Sequence, residues 1–209
     1  MADLKIGKIT MGMCQTNCYF LYREGSSDVI FIDPADSGKY ITEKLKEKGF
    51  EIKAILLTHG HFDHIMGCNE MRDLTGAKIY APAPDRVLLE DAYVNVSARW
   101  ARPCTVDADV FFDDGEILDF GFVKCKCILT PGHTIGSSCF YFEEDKILVC
   151  GDTLFYESVG RTDLPTGSMS KEVRSIKEKL FTLPDDTRVY PGHGVSTDIG
   201  HEKEYNPCV

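Results

Sequence analysis

Three observations predict an α/β fold for this chain. Short apolar or alternating runs recur along its length, amphipathic patterns separate several of them, and the runs repeatedly end in loops of histidine, aspartate and glycine. The 209 residues, 43% of them hydrophobic, suit one domain with a sizeable core.

Leu4 to Thr10, Tyr19 to Tyr22 and Val29 to Asp33 read as strands, with Glu24-Gly25-Ser26-Ser27-Asp28 as a hairpin turn, so the sheet begins antiparallel. Asp33, before Pro34, falls at a strand end and suits either turn chemistry or a hydrogen bond to a metal-bound histidine. A helix is predicted over Lys39 to Lys48, with Ser37 as its N-cap, Ile41 and Leu45 on one face and Gly49 beyond its end. Ile52 to Leu57 is the next strand, and its unbroken apolar run Ala54 to Leu57 implies burial on both faces. A helix over Ile65 to Leu74 ends before Gly76, and Lys78 to Ala81 is a further strand. Past Pro82-Ala83-Pro84, an interrupted helical pattern runs from Asp85 to Ala101 and carries Trp100. Its end, Arg99 to Pro103, either lines a pocket mouth or covers the sheet as an amphipathic segment. Glu116 to Phe120, Val123 to Leu129, Ser138 to Phe142 and Lys146 to Cys150 read as strands, punctuated by acidic turns. A helix over Ser170 to Phe181, capped by Ser168, leads to a last strand, Arg188 to Tyr190, and a polar tail.

Composition narrows the function. A net charge of -10 argues against a protein that tracks phosphates, so no nucleic-acid partner is expected. No apolar run approaches the roughly 20 residues of a membrane span, and the start lacks the features of a signal peptide. The expectation is a cytoplasmic protein with no membrane partner. Nine cysteines form no paired array of the kind that builds a zinc site or a disulfide frame. Cys125 and Cys127 alternate with Lys124 and Lys126, which places them in the core; Cys14 and Cys18 receive no assignment.

The chemistry concentrates in Thr58-His59-Gly60-His61-Phe62-Asp63-His64, where four metal-competent side chains occupy six positions. Such crowding is costly without a cation, and one tetrahedral ion cannot take all four groups from one tight loop, so two ions are implied. Five of the six histidines, His59, His61, His64, His133 and His193, follow strands. Asp152, behind Gly151 and a buried strand, adds a carboxylate, while His201 lies in the polar tail and is expected at the surface.

The pattern His59, His61, Asp63, His64, then His133, Asp152 and His193, resembles the metallo-beta-lactamase superfamily over nearly the whole chain. The resemblance implies a four-layer αββα sandwich, two mixed sheets with helices on their outer faces, and a two-metal site at one edge. In that pattern His59, His61 and His133 hold one ion, Asp63, His64 and His193 hold the other, and Asp152 bridges them. Two divalent ions are the implied cofactors, zinc first, with iron or manganese suited to the same ligands. They would lower the pKa of bound water and polarise a carbonyl, with Asp63 orienting the nucleophile as the catalytic residue.

Within the superfamily, classical beta-lactamases carry Cys or another residue where Asp152 stands, so antibiotic hydrolysis is not expected. Flavo-diiron proteins have a Glu where His61 stands, and RNA-processing members carry extra domains. The chain is most similar to the glyoxalase II group, which hydrolyses S-acylglutathione thioesters. Gly160-Arg161-Thr162-Asp163 resembles the segment that holds a glutathione carboxylate there, which makes Arg161 the substrate-binding candidate; a salt bridge to Asp163 is its competing role. The chain stops at Val209 without the C-terminal helical domain of full-length glyoxalase II, so thioester chemistry is implied more firmly than glutathione. A small-molecule thioester such as S-lactoylglutathione is the expected substrate, and no oligomeric state is assigned. A mononuclear iron persulfide dioxygenase is the alternative, although such proteins tend to have Pro-Ala-His where this chain has Pro191-Gly192-His193. A non-catalytic metal-binding scaffold is the third reading, and the full set of seven ligands argues against it.

Overall fold

Alternation within the apolar strands decides the layers. In β3 (Asp28–Ile32), Ile30 and Ile32 enter one core while Phe31 enters another. The same division separates Ala54 and Leu56 from Ile55 and Leu57 at β4 (Glu51–Leu56), so the apolar run there is buried on both faces. In β9 (Ser138–Phe142), Phe140 and Phe142 share the first core, and Cys139 and Tyr141 point into a third. The first core therefore lies between two sheets, and the others lie on their outer faces. Each fully buried Phe, Leu or Ile stabilises the sandwich by roughly 1.5–3 kcal/mol.

The computed structural model describes residues 2–209. One six-stranded sheet takes the order β1 (Leu4–Met11), β2 (Thr16–Arg23), β3, β4, β5 (Lys78–Pro82), β6 (Val110–Phe112). Its first three strands are antiparallel, and β3 to β6 are parallel. In the second sheet, β7 (Ile117–Asp119), β8 (Lys124–Leu129), β9 and β10 (Ile147–Gly151) form an antiparallel run. β13 (Arg188–Pro191) pairs parallel to β10, and β14 (Thr197–Asp198) pairs antiparallel to β13. A small ribbon, β11 (Leu154–Phe155) with β12 (Ser158–Val159), stands apart. Helices α1 (Gly38–Glu47) and α3 (Cys68–Thr75) cover the first sheet through Ile41, Leu45, Cys68 and Met71. α6 (Met169–Glu178) and α7 (Ile199–Tyr205) cover the second through Ile176 and Ile199. This is the expected α/β four-layer sandwich, with Cys125 and Cys127 in its inner core.

Several local expectations need correction. Ser37 precedes α1 but its side chain caps nothing; the Lys39 amide donates instead to Glu70 Oε2 of α3 at 2.8 Å. Ser168 precedes α6 and likewise makes no side-chain cap. The helix expected from Ile65 is two pieces, α2 (Phe62–Ile65) and α3, divided at Gly67, where a Cβ would sit 2.9 Å from the Pro34 carbonyl oxygen. The pattern from Asp85 to Ala101 yields only α4 (Arg86–Glu90) and α5 (Ser97–Trp100), because Asn95 and Ser97 spend their side chains on backbone groups between them. The strand β6 and the helix α7 were not foreseen: the first is only three residues long, and the second hides in a polar tail.

Candidate metal centre

Four strand ends converge. β4 leads to Thr58–His64, β8 to the turn bearing His133, β10 to Asp152, and β13 to His193. Ligand-type atoms of His59, His61 and His133 lie within 4.8 Å of one another, as do those of His59, His64 and Asp152, and those of Asp63, His64 and His193. All seven residues selected from the sequence thus meet in one cluster. Asp152 lies between the groups: its Oδ2 is 3.5 Å from His133 Nε2 and 3.3 Å from His193 Nε2, and its Oδ1 is 3.4 Å from His64 Nε2. Asp63 Oδ2 lies 3.4 Å from His193 Nε2. Gly192 permits this closeness, since a Cβ there would stand 2.2 Å from Asp152 Oδ1.

Hydrogen bonds behind the rings fix which nitrogen faces inward. Asp33 Oδ1 accepts from the Thr58 amide at 2.8 Å, and its Oδ2 accepts from the Thr58 hydroxyl at 2.7 Å and from His64 Nδ1 at 2.8 Å. The Thr58 oxygen is left as an acceptor for His59 Nδ1 at 3.0 Å. The His133 Nδ1 donates to the Arg161 carbonyl at 2.6 Å. His59, His64 and His133 therefore turn Nε2 toward the cluster. His61 brings its Nδ1 to 2.8 Å from His133 Nε2. Buried His59 Nε2, His64 Nε2 and Asp152 Oδ1 have no hydrogen-bond partner, an arrangement a cation would satisfy.

Electrostatics divide the cluster. Burial, together with the neighbouring imidazoles, holds His59 well below its ordinary range, and burial likewise pushes His61 down to about 3 and lowers His133. These rings are neutral, as ligands must be. Burial also opposes charge at His64 and His193, but the carboxylates of Asp152 and Asp63 win, raising His64 well above its usual range and His193 to about 9. Burial would raise Asp63, yet His64 and His193 pull it down to about 2, and they hold Asp152 well below the carboxylate range.

Residues 11–193 match the family model described as the metallo-beta-lactamase superfamily. The chain belongs to that superfamily. Members are generally metal-dependent hydrolases. A probable metallo-hydrolase of Bacillus subtilis, YqgX, is 37% identical, with 98% of this chain and 97% of the relative covered. The hydroxyacylglutathione hydrolase GloC of Haemophilus influenzae is 32% identical over 92% of both chains. Among solved structures, the BLEG-1 B3 metallo-beta-lactamase superposes with a TM-score of 0.92 at 36% identity, covering 97% of this chain and 98% of its own. TTHA1623, solved in a di-iron-bound form, gives 0.85 at 31% identity, covering 97% of this chain and all of its own.

Of the supports behind the cluster in this superfamily member, Asp33 fills the role of hydrogen-bond partner to a cluster histidine that its strand-end position allowed, and the others carry no sequence signal. Asp85, fully buried, accepts from the Gly60 amide at 2.9 Å, the Thr134 hydroxyl at 2.8 Å and the Gly136 amide at 2.6 Å. Glu172 Oε2 accepts from the His133 amide at 2.8 Å, and burial pushes the Glu172 carboxyl up to about 8. From β2, the Thr16 hydroxyl reaches Asp63 Oδ2 at 3.2 Å, and Asn17 Nδ2 donates to the Pro191 and Gly194 carbonyls at 3.0 Å, bracketing His193. No motif marks these residues; only the fold brings them to the cluster.

A cavity of about 420 Å³ opens over the cluster, walled by Phe62, Val96, Trp100, Phe155, Val159 and Leu164, with Cys14 and Arg161 at its edge. The Arg161 guanidinium is engaged by Asp163 through two hydrogen bonds of 2.7 and 2.9 Å, while its carbonyl holds His133. Trp100 thus lines the cavity and does not cover the sheet. His201 lies outside the cluster, against Glu157 and stacked on Tyr156.

Proposed function

We propose that the chain is a dinuclear metal-dependent hydrolase that cleaves a small thioester. One observation carries the reading: seven ligand-type side chains converge from four strand ends with buried acceptor atoms that no protein donor satisfies. His59, His61 and His133 would hold one ion and Asp63, His64 and His193 the other, with Asp152 between them. Such ions, when bound, lower the pKa of a coordinated water and polarise the acyl oxygen. Zinc is the first expectation, and the di-iron form of TTHA1623 keeps iron in view.

The chain's own groups do the rest. Asp63, anionic and steadied at Oδ2 by the Thr16 hydroxyl, accepts the hydrogen bond that aims the attacking water. Oxygen adds to the acyl carbon, the C–S bond breaks, and the thiolate leaves to take up a proton. The apolar side chains that wall the cavity offer a surface for the acyl group. The likeness to GloC supports a thioester substrate.

A second reading, β-lactam hydrolysis, is favoured by the likeness to BLEG-1 at 36% identity, against the expectation drawn from Asp152. One experiment decides. Metal content of the purified protein is measured, and cleavage of S-lactoylglutathione, hydrolysis of a chromogenic cephalosporin and oxygen uptake with a persulfide are assayed in parallel. Two ions with thioester cleavage as the fastest reaction is the expected result. Cephalosporin turnover that exceeds it, or one iron with oxygen uptake, overturns the proposal.

A further inference from the structure

The cavity over the cluster has a neighbour. A second hollow of about 320 Å³ shares Phe62, Asp63 and Trp100 with it and adds Met13, Met66 and Arg102. The Phe62 and Trp100 rings, edge to face with centroids 6.3 Å apart, form the wall common to both. Asp63 therefore stands where the two spaces meet, beside the reacting centre.

Trp100 is held there at a cost. It ends α5, a single turn entered through Val96, a β-branched residue at φ 61° that is only 1% exposed. Such a conformation persists only when the surroundings enforce it. Here Asn95 Nδ2 donates to the Leu88 and Cys104 carbonyls at 3.0 and 2.9 Å, Asn95 Oδ1 accepts from the Ser97 amide at 2.9 Å, and the Cys104 amide donates to Ser97 Oγ at 3.0 Å. A rigid, strained turn thus keeps an indole 46% exposed at a cavity wall.

The cations differ across that wall. Arg161, at the first cavity, is spent on Asp163. Arg102, at the second hollow, has no side-chain hydrogen bond or ion pair among the described residues. Asp36 and Asp63 also line the hollow, but both carboxylates are engaged, Asp36 by the Ser37 amide at 2.6 Å and Asp63 by the Thr16 hydroxyl and His193. Arg102 is left as the lining charge without a partner among the described residues. The first cavity, walled by apolar side chains, suits an acyl group. In a chain of net charge -10, an unpaired arginine is the feature that would draw an anion to the second.

Resting on the thioester reading, we propose that the second hollow binds the thiol carrier of the substrate. The carrier passes along Trp100, and its anionic group, a carboxylate or a phosphate, pairs with Arg102. The class is an acyl thioester of an anionic thiol.

Trp100 is the sole tryptophan, so its fluorescence reports occupancy without catalysis. The metal-loaded protein and its Arg102→Gln variant are assayed with one acyl group on three carriers: glutathione, bearing carboxylates; coenzyme A, bearing phosphates; and neutral N-acetylcysteamine. S-hexylglutathione, an uncleavable thioether, is titrated against Trp100 emission. Arg174→Gln, at an exposed arginine on α6, is the charge control. Arg102→Gln is expected to raise KM about fivefold to tenfold for the preferred anionic carrier, with kcat within about twofold and the neutral thioester and the control unaffected. Whichever anionic carrier shows the effect names the source. Cleavage that ignores Arg102, or an equal loss with the neutral carrier, overturns this site and leaves the hydrolase standing. If no thioester is cleaved yet S-hexylglutathione shifts Trp100 emission in an Arg102-dependent way, the site stands and the hydrolase reading falls.

Discussion

The Gly60 amide donates a 2.9 Å hydrogen bond to the buried Asp85 carboxylate, which also accepts from Thr134 and Gly136. Gly60 lies between His59 and His61, and Thr134 follows His133, so one carboxylate ties together the loops that carry the three neutral imidazoles. Asparagine in its place offers a single acceptor oxygen. Asp85→Asn would leave at least one donor buried and unpaired, at about 1–3 kcal/mol. Its expected effect is a metal affinity about tenfold to a hundredfold weaker, measured by competition with a chromophoric chelator. Unchanged affinity in a folded variant would mean that the loops hold their spacing without Asp85.

Asp85 also sets a pH dependence. Burial, opposed by its three donors, raises its carboxyl from 3.8 to about 6. The folded state then binds more protons than the unfolded one between those values, so this contribution to stability is present below about pH 3.8 and lost as pH rises through about 6. Urea melts of the wild type from pH 4 to pH 7 should therefore lose stability relative to Asp85→Asn, by an amount on the order of 3 kcal/mol. A constant difference across that range would show that the carboxylate is ionised throughout, with its donors outweighing burial.

The ligands were legible in the sequence because each sits at the end of an apolar run, where a histidine or aspartate beside glycine has little structural reason to be. The layers were legible for a related reason: runs such as Ala54 to Leu57 divide between two cores. Of the supports, only Asp33, at a strand end, was legible. Asp85 falls at the start of a helical pattern and Glu172 inside another, because a hydrogen bond across 25 or 39 positions leaves no local pattern. Ser37 misled in the opposite way, since its local pattern is that of a cap while Glu70, from another helix, supplies the acceptor. Arg161 was selected for its side chain, yet it reaches the cluster through its carbonyl, which any residue would carry.

Gly192 leaves no room for a side chain beside the cluster. A Cβ there meets Asp152 Oδ1 at 2.2 Å and His64 Cε1 at 2.8 Å, and the His64 ring is pinned from behind by Asp33. Gly192→Ala should keep the fold, as near-ultraviolet circular dichroism would report, and lose the ion that Asp63, His64 and His193 would hold. Hydrolysis is expected to drop by about a hundredfold or more, consistent with displacing a reacting group by about 1 Å. Two ions and wild-type rates in the variant would refute this packing argument.

Removal of the ions should weaken the protein without unfolding it. In their absence the carboxylates of Asp152 and Asp63 favour protonated His64 and His193, so the second group of ligands keeps internal ion pairs. Bound ions add to this by mass action, about 2.7 kcal/mol at a free concentration a hundredfold above Kd. Chelation should therefore lower the wild-type Tm by several degrees and abolish turnover, both restored by divalent metal. Asp152→Ala removes a proposed ligand and a carboxylate partner of both rings together. Its Tm should fall below that of the chelated wild type, respond little to chelator, and accompany an activity that added metal does not rescue. A variant that stays active and metal-free would remove the basis for placing the chemistry at this cluster.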